Sequence, residues 1–402
     1  MARVFVTDAN LHFSLPFVRT LGKQGLTVVA GEEHSAALSF LSRYSKESLV
    51  YPSIKDPGFA SFIREHIERF DAIIPVSDEA NEFFARHTEF SHKVAQPEYE
   101  NYRIARDKSK TMKLAEKQGI PHPKSLYVTE EREPPFRFPL ILKPTKALGM
   151  RGVCISKNKK EYWKNLRFLL KEYKSCLIQE FIPFGGHNYC ADLLYDKDSN
   201  LKSLYMSKIH RTYPVYGGPD TFTETIEDER IKSLATRLLE PLEWKGIVNV
   251  EFKEHPETKE LYLMEINPRP SSSISLAMSA GLDFPNKLYE IITKGTTEEQ
   301  FEYKTQVFQR QLATDLLHFI RHPDKLALFK QKCSGKVHYT NMHWDDPLPL
   351  ASHLINLCRL AAQPKFRKEH DHLLIRSTKV SDKTYQRLYN EFYKDQKGIP
   401  QG

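Results

Sequence analysis

The sequence predicts an α/β protein, and three stretches carry that expectation. Residues 3–76 alternate short apolar runs with amphipathic ones, the β-α-β rhythm of a parallel sheet covered by helices. Residues 139–183 place a strand that ends in a lysine, a loop with glycines and a further strand. Residues 246–273, GIVNVEFKEHPETKELYLMEINPRPSSS, set two short apolar runs about a polar connection and read as a β-hairpin.

In chain order, Arg3 to Thr7 is a short buried strand. Ser14 to Gln24 is a helix, with Leu15, Val18 and Leu21 at helical spacing and Gly25 as its stop, and Leu26 to Ala30 is the next strand. The loop between them, Asp8 to Phe13, has no glycine. The GxGxxG fingerprint is therefore absent, which argues against a nicotinamide enzyme. A helix over Phe59 to Phe70 and a strand over Ala72 to Val76 follow. Ser77-Asp78-Glu79 lies just past that strand, where open α/β sheets hold ligands; the same triplet also suits a helix N-cap.

Arg106 to Lys110 opens a helix that ends near Gly119, before Ile120-Pro121-His122-Pro123. Pro139 to Pro144 is a strand whose apolar run leads to Lys143, so the ammonium is buried and wants an anion. TKALGMRGV, Thr145 to Val153, follows with Gly149 and Gly152, which let backbone N–H groups approach phosphate. Leu177 to Pro183 is a strand that either offers its edge to a ligand or simply ends at the proline. Lys208 and Arg211, in Tyr205 to Pro214 ahead of Gly217-Gly218-Pro219, suit an anionic substrate or are exposed cations of a hairpin. Glu229 to Leu242 is helical through Ile231, Leu234, Leu238 and Leu239.

The hairpin concentrates the chemistry. A turn centred near Thr258 sets Glu251 opposite Glu265, with side chains ~5 Å apart on one face. Alternation adds Asn267, and then Arg269 if the strand continues through Pro268. Facing carboxylates repel, and a hard divalent cation with oxygen ligands relieves them. Arg269 suits a phosphoryl or carboxylate oxygen, which its fork binds with two hydrogen bonds. The rival reading is a solvated face with surface charges.

Glu251 followed by Glu265-Ile266-Asn267-Pro268-Arg269 resembles the metal-binding end of the ATP-grasp superfamily, in its carbamoyl-phosphate-synthetase-like branch of carboxylate–amine ligases. The resemblance covers roughly residues 1–295. It implies that Glu251, Glu265 and Asn267 hold two Mg²⁺ ions, or Mn²⁺ in their place, against the phosphates of ATP. Arg269, Asn267 and Lys143 would be the catalytic set, with Arg269 steadying the acyl phosphate. Lys108 and Lys143 match the basic residues on the phosphates, and Gly149 and Gly152 the flap above them. That flap is poorer in glycine than is usual, and Arg151 would add charge there. The backbone of Glu180, Phe181 and Ile182 would read adenine. Asn188 stands where the family usually has a ribose-binding Glu, which leaves His187 as a second candidate. Lys208 and Arg211 would line the substrate pocket with Arg269.

The implied architecture is an ATP-grasp fold. A Rossmann-like pre-ATP-grasp domain (1–106) precedes the linker helix and lid subdomain (107–185) and an α+β core with the metal hairpin (186–295). A mainly helical C-terminal appendix (296–402) comes last. It contains helices over Gln311 to Ile320 and Leu348 to Ala362, the stretches Val337 to Met342 and Trp344 to Pro347, and a charged tail that is polar and helical after Lys379. Glu369-His370-Asp371-His372 has metal-ligand residue types but no partner at a zinc spacing, and reads as a surface turn.

The bulk composition excludes several classes. The chain has 402 residues, 40% hydrophobic and 27% charged, as in soluble globular proteins of two or three domains. No run approaches the ~18 apolar residues of a membrane span, and the N-terminus lacks a signal-peptide core. Five scattered cysteines without CxxC point to reduced thiols and a cytoplasmic protein. The net charge of +8 is dispersed, with one short cluster at Lys157 to Lys160 that reads as a solvated loop. Nucleic acid is thereby disfavoured against a small anionic substrate or nucleotide. The sequence thus predicts an ATP-dependent ligase that joins a carboxylate, such as an amino acid, to an amine through an acyl phosphate, releasing ADP and phosphate. Bicarbonate-using carboxylase or purine-type chemistry, and an inactive nucleotide- or nucleic-acid-binding module, are the alternatives. A homo-oligomer is compatible with it.

Overall fold

The computed structural model describes residues 1–146, 152–215, 217–322, 325, 335–340 and 342–351. The chain opens with β1 (Arg3–Val6), α1 (Leu15–Lys23), β2 (Thr27–Glu32), β3 (Ser45–Val50), α2 (Pro57–His66) and β4 (Ala72–Ile74). Their strands form a parallel sheet in the order β3-β2-β1-β4. Val4, Val6 and Val28 pack on Phe17, Val18 and Leu21 of α1, while Phe5, Val29 and Ile73 pack on Phe59 and Ile63 of α2. Covering on both faces is why these strands read as continuous apolar runs. β2 and β4 flank β1 on opposite sides, so a crevice opens beyond the C-terminal ends of β1 and β4. There Ser77 caps α3 (Asp78–Arg86), its Oγ accepting from Ala80 N at 3.0 Å. α4 (Tyr99–Arg106) and α5 (Lys108–Lys117) meet at Asp107, which caps α5 through Ser109 N.

A second sheet follows: β5 (Ser125–Val128), β6 (Leu140–Lys143), β7 (Cys154–Ser156) and, after α6 (Lys159–Tyr173), β8 (Cys176–Glu180), in the antiparallel order β5-β8-β6-β7. Leu140, Leu142, Cys154 and Ile178 lie under Tyr162 and Leu166 of α6. By alternation Ile141, Lys143 and Ile155 point to the face that α6 leaves open. The lysine cluster expected as a loop is in part helical, because Asn158 caps α6 by accepting from Glu161 N at 3.0 Å.

The third unit holds β9 (Asn188–Tyr195), β10 (Leu201–Thr212), β11 (Asp220–Ile226), α7 (Glu229–Leu239), β12 (Gly246–Glu254), β13 (Leu261–Asn267), α8 (Ile274–Ser279), α9 (Phe284–Lys294), β14 (Phe308–Arg310), α10 (Leu312–Arg321) and β15 (Val337–Tyr339). Its sheet runs β13-β12-β9-β10-β11-β14-β15, antiparallel except for the last pair. Ala191, Leu193, Val248 and Val250 bury one face against Ile231 and Leu238 of α7. On the other face Leu194, Tyr205 and Ile247 pack with α8, α9 and the N-terminal unit. The rest of that face is largely polar, with Asn249, Glu251, Lys253, Glu265 and Asn267.

Residues beyond 295 supply the expected helix, α10, and also two strands that lengthen the central sheet. Asp346 returns the chain to the N-terminal unit, accepting from Arg19 Nε at 2.8 Å, Ser42 Oγ at 2.7 Å and Arg43 N at 2.9 Å. The helix expected over Leu348 to Ala362 beyond residue 351, the turn at Glu369 to His372 and the tail after Lys379 lie outside the described residues. Among the described residues no helix is long and apolar enough to cross a membrane.

Candidate active site

β12 and β13 pair with Glu251 opposite Glu265 and Asn249 opposite Asn267. The register changes one step further on, where Phe252 pairs with Leu263 and Met264 is left over as a bulge. This extra residue lets Leu261, Leu263 and Ile266 all enter the core under α7, while Glu265 and Asn267 face the other way. The ladders continue across the sheet in rows on that polar face. One row is Glu265, Glu251, Cys190, Ser207; the next is Asn267, Asn249, Asp192, Tyr205; on the other side stand Tyr262, Lys253, Asn188, Ile209.

Within these rows, Asn267 Nδ2 donates to Glu251 Oε1 at 2.8 Å and to Asn249 Oδ1 at 3.1 Å, and lies 3.4 Å from Glu265 Oε1. The start of α5 brings Lys108 Nζ to 2.7 Å from Glu265 Oε2. Lys108 N also donates to Thr145 O at 3.0 Å, which ties this helix to the chain just after Lys143. Lys143 is 6% exposed and has no carboxylate within ion-pair distance among the described residues. Burial, and then the charge of Lys108, push its ammonium down to about 8. Burial and the facing Glu265 raise Glu251. Glu265 goes the other way: burial opposes ionisation, but the charge and hydrogen bond of Lys108, then Lys143, hold it ionised. The two carboxylates are thus pushed in opposite directions, Glu251 toward its neutral form and Glu265 toward its ionised one.

Arg269 leaves β13 toward the N-terminal unit. Its Nε donates to Asp78 Oδ2 at 3.0 Å, its Nη1 donates to Pro270 O at 2.8 Å, and its guanidinium stands 5.5 Å from the centre of the Phe13 ring. Asp192 accepts from Ser271 N at 3.0 Å and so holds the turn that follows Arg269; burial lifts this carboxyl to about 7. Residues from all three units therefore meet at one place: Asp78, Lys108, Lys143, Glu251, Glu265, Asn267 and Arg269.

These residues fit a divalent cation and a polyphosphate. The donor set is two carboxylates and a carboxamide, oxygen ligands that suit Mg²⁺ or Mn²⁺. The Asn267 amide turns its nitrogen inward to bridge the carboxylates; a half-turn would present its oxygen instead. Lys143 is a buried cation without a close counter-ion, which an incoming phosphate would supply.

The linker beside the site is built on close approach. A Cβ on Gly186 would lie 1.7 Å from Glu254 O, so only glycine lets the chain cross β12 there. Lys253 Nζ donates to Ile182 O at 2.9 Å and stands 5.6 and 5.3 Å from the Phe181 and Phe184 ring centres. Glu180 ends β8, its Oε1 accepting from Lys124 N at 2.9 Å. Asn188 shares the face of Glu251 and Lys253. His187 belongs to the opposite face, where its ring lies 6.2 Å from that of Tyr189.

Other residues singled out in the sequence stand apart. Lys208 pairs with Tyr189 and Glu224, on the face opposite Glu251. Arg211 is buried, 2.9 Å from Asp315 and stacked 4.4 Å over Phe222. Gly152 has φ +71° and packs against Pro144, where a Cβ would come within 2.7 Å of the ring. Gly149 and Arg151 lie outside the described residues.

A family profile described as the ATP-grasp domain matches residues 105–273. The chain carries an ATP-grasp domain. It is 26% identical over 201 residues to the carbamoyl phosphate synthase large chain of Pyrococcus furiosus, covering 47% of this chain and 19% of that one. To the D-alanine--D-alanine ligase of Acetivibrio thermocellus it is 28% identical over 217 residues, covering 47% and 57%. The chain thus spans about a fifth and somewhat over half of these relatives. The biotin carboxylase of Campylobacter jejuni, solved as a β-γ-ATP complex, superposes with a TM-score of 0.60 over 76% of this chain and 74% of that one. At 16% identity that likeness speaks for the fold alone.

The ATP-grasp domain runs from the end of α4 to the turn after β13, and so contains every site residue named above except Asp78. Two residues near the site escaped the sequence reading. Lys253 was accessible to the alternation that found Glu251, being two positions further on. Arg106, 3.7 Å from Asp78 through its Nε, carries no local signal, because its neighbour comes from a distant helix start.

Proposed function

We propose that this chain is an ATP-dependent ligase that joins a carboxylate to an amine through an acyl phosphate and releases ADP and phosphate. One observation carries the proposal: Glu251, Glu265 and Asn267 lie on one sheet face with Lys108 and Lys143 beside them and Arg269 at their edge. Lys108 and Lys143 would hold nucleotide phosphates, Glu251, Glu265 and Asn267 two Mg²⁺ ions, and Glu180 to Ile182 with Asn188 the nucleoside. The bound ions would supply positive charge to phosphate oxygens.

The substrate carboxylate oxygen attacks the terminal phosphorus, and ADP leaves with the electrons of the broken P–O bond. The amine nitrogen then attacks the acyl carbon, phosphate leaves, and the surplus amine proton passes to solvent. Such chemistry needs positioning and charge neutralisation rather than a protein nucleophile. Arg269, held by Asp78 and the Pro270 carbonyl, would steady the phosphoryl oxygens. The neighbouring ammonium groups offset charge that a low-dielectric site would otherwise make prohibitive.

The test is Mg²⁺-dependent ADP release from ATP against pools of amino acids and other carboxylates with amine acceptors, with Glu265→Gln as control. ADP and phosphate that require one carboxylate–amine pair establish the reading. AMP release, or turnover retained by Glu265→Gln, overturns it. Release driven by bicarbonate alone would assign a carboxylation instead.

A further inference from the structure

Asp78 is 3% exposed and faces two arginines. Its Oδ2 accepts from Arg269 Nε at 3.0 Å, whereas its Oδ1 stands 3.7 Å from Arg106 Nε, too far for a hydrogen bond. Both Asp78 Oδ1 and Arg106 Nε are buried without a hydrogen-bond partner. Asp315 also faces two arginines, Arg211 and Arg310, whose Nε atoms lie at 2.9 and 3.2 Å; at Asp78 the second arginine stands at 3.7 Å.

The standing-off arginine is well placed. Arg106 ends α4, two residues before Lys108, whose ammonium is on Glu265. Tyr102, one turn earlier, donates from its hydroxyl to Asp78 O at 2.9 Å and fixes the helix against α3. Two groups of cations result. Lys108 and Lys143 stand with the facing carboxylates and suit nucleotide phosphates. Arg106 and Arg269 stand around Asp78, toward the N-terminal unit, beyond them. One carboxylate cannot neutralise two guanidiniums, and a guanidinium whose buried Nε lacks a hydrogen bond is costly unless an anion completes it.

We propose that Arg106 binds, together with Arg269, the phosphoryl oxygens of the acyl phosphate, with Asp78 as their shared counter-ion. This rests on the ligase reading and adds a substrate-binding residue to it. The oxyanion enters between the two guanidiniums and takes the fork of Arg106 in place of its long contact to Asp78. Arg269 keeps its bond to Asp78, so the carboxylate fixes one arginine and lends the other.

The test titrates inorganic phosphate, which presents the same oxygens, into the full chain saturated with MgADP. Wild type is expected to bind phosphate. Arg106→Met should weaken that binding about tenfold or more, and Arg106→Lys, which keeps charge without the fork, should fall between them. MgADP affinity should be equal in all three and reports that each variant is folded. Phosphate bound equally by Arg106→Met, or not bound by the wild-type MgADP complex, overturns the inference. If Arg106→Met fails to fold, an unchanged phosphate affinity in Arg106→Lys overturns it. Wild type that does not bind MgADP at all removes the ligase reading itself, a separate failure.

Discussion

Lys108 Nζ lies 2.7 Å from Glu265 Oε2, so one of the two facing carboxylates already has a cation. The lysine does for the protein alone part of what a metal ion would do with substrate bound. Its charge and Lys143 depress Glu265 against the effect of burial. A depressed carboxylate contributes stability above its unfolded value of 4.5 and loses it as the pH falls through the folded value. Glu265→Gln is therefore expected to lower stability at pH 7 by about 1–3 kcal/mol, with the difference shrinking as the pH drops below 4.5. Urea unfolding at pH 7 and pH 3 checks this. Mg²⁺-dependent ADP release should fall by about a hundredfold or more.

Glu251 behaves oppositely. Burial and Glu265 raise it above its unfolded value of 4.5, so the folded state binds the extra proton and stability falls as pH rises through that window. Glu251→Gln removes the charge that the fold resists. Without nucleotide or metal it should be at least as stable as wild type at pH 8, and the advantage should vanish near pH 4.5. Calorimetry in buffers of different ionisation enthalpy adds a second check. Binding of MgATP near pH 7 should release about one proton in wild type and clearly less in Glu251→Gln.

The ATP-grasp fold was legible because its strongest signals are local. Two apolar runs about one turn were enough to set Glu251 against Glu265, and the strand before Lys143 announced a buried ammonium. The bulge at Met264 was not legible, since nothing in LYLME marks which residue is skipped; only packing of Leu261, Leu263 and Ile266 under α7 decides it. β3 was missed because Ser45-Lys46-Glu47-Ser48 is polar, as an edge strand can be. Phe308–Arg310 is too short to announce itself, and it became a strand because β11 offered an edge. Ser77-Asp78-Glu79 had two readings, and the fold uses both: Ser77 caps α3 and Asp78 reaches the site. Lys208 and Arg211 look alike in sequence, but Lys208 follows the regular ladder whereas the bulges in β10 around His210 decide where Arg211 points.

Lys143 gives a case in which function and stability oppose each other. Its folded value of about 8 lies below the unfolded 10.5, so below pH 8 the fold carries the full burden of a buried charge. Between pH 8 and 10.5 the unfolded chain binds more protons, and wild-type stability recovers. Lys143→Met should accordingly be more stable than wild type at pH 7, by about 1–3 kcal/mol, and should lose that lead by pH 10.5. Under the proposed function, in which Lys143 would hold nucleotide phosphate, the variant's affinity for MgATP should fall about tenfold to a hundredfold. Thermal unfolding across pH and nucleotide titration measure the two effects separately.

Arg211 separates a structural cation from a substrate-binding one. It is 8% exposed and shares Asp315 with Arg310, while Thr221 Oγ1 donates to the same carboxylate at 3.2 Å. Removing one arginine leaves Asp315 with the other, whereas removing the carboxylate leaves the buried Arg211 beside the partly exposed Arg310 with no shared counter-ion. Asp315→Asn should therefore destabilise more than Arg211→Met, the first by about 3–5 kcal/mol. Neither residue faces the carboxylate row, so KM values for ATP and for both substrates should stay within about twofold of wild type for the folded fraction. Denaturant midpoints with steady-state kinetics on the same samples decide it. A rise in one substrate's KM at unchanged stability in Arg211→Met would move this arginine from the scaffold into the pocket. The reverse pattern means that the bulge around His210 has turned Arg211 away from Glu251, toward α10, where it welds the helix to the sheet.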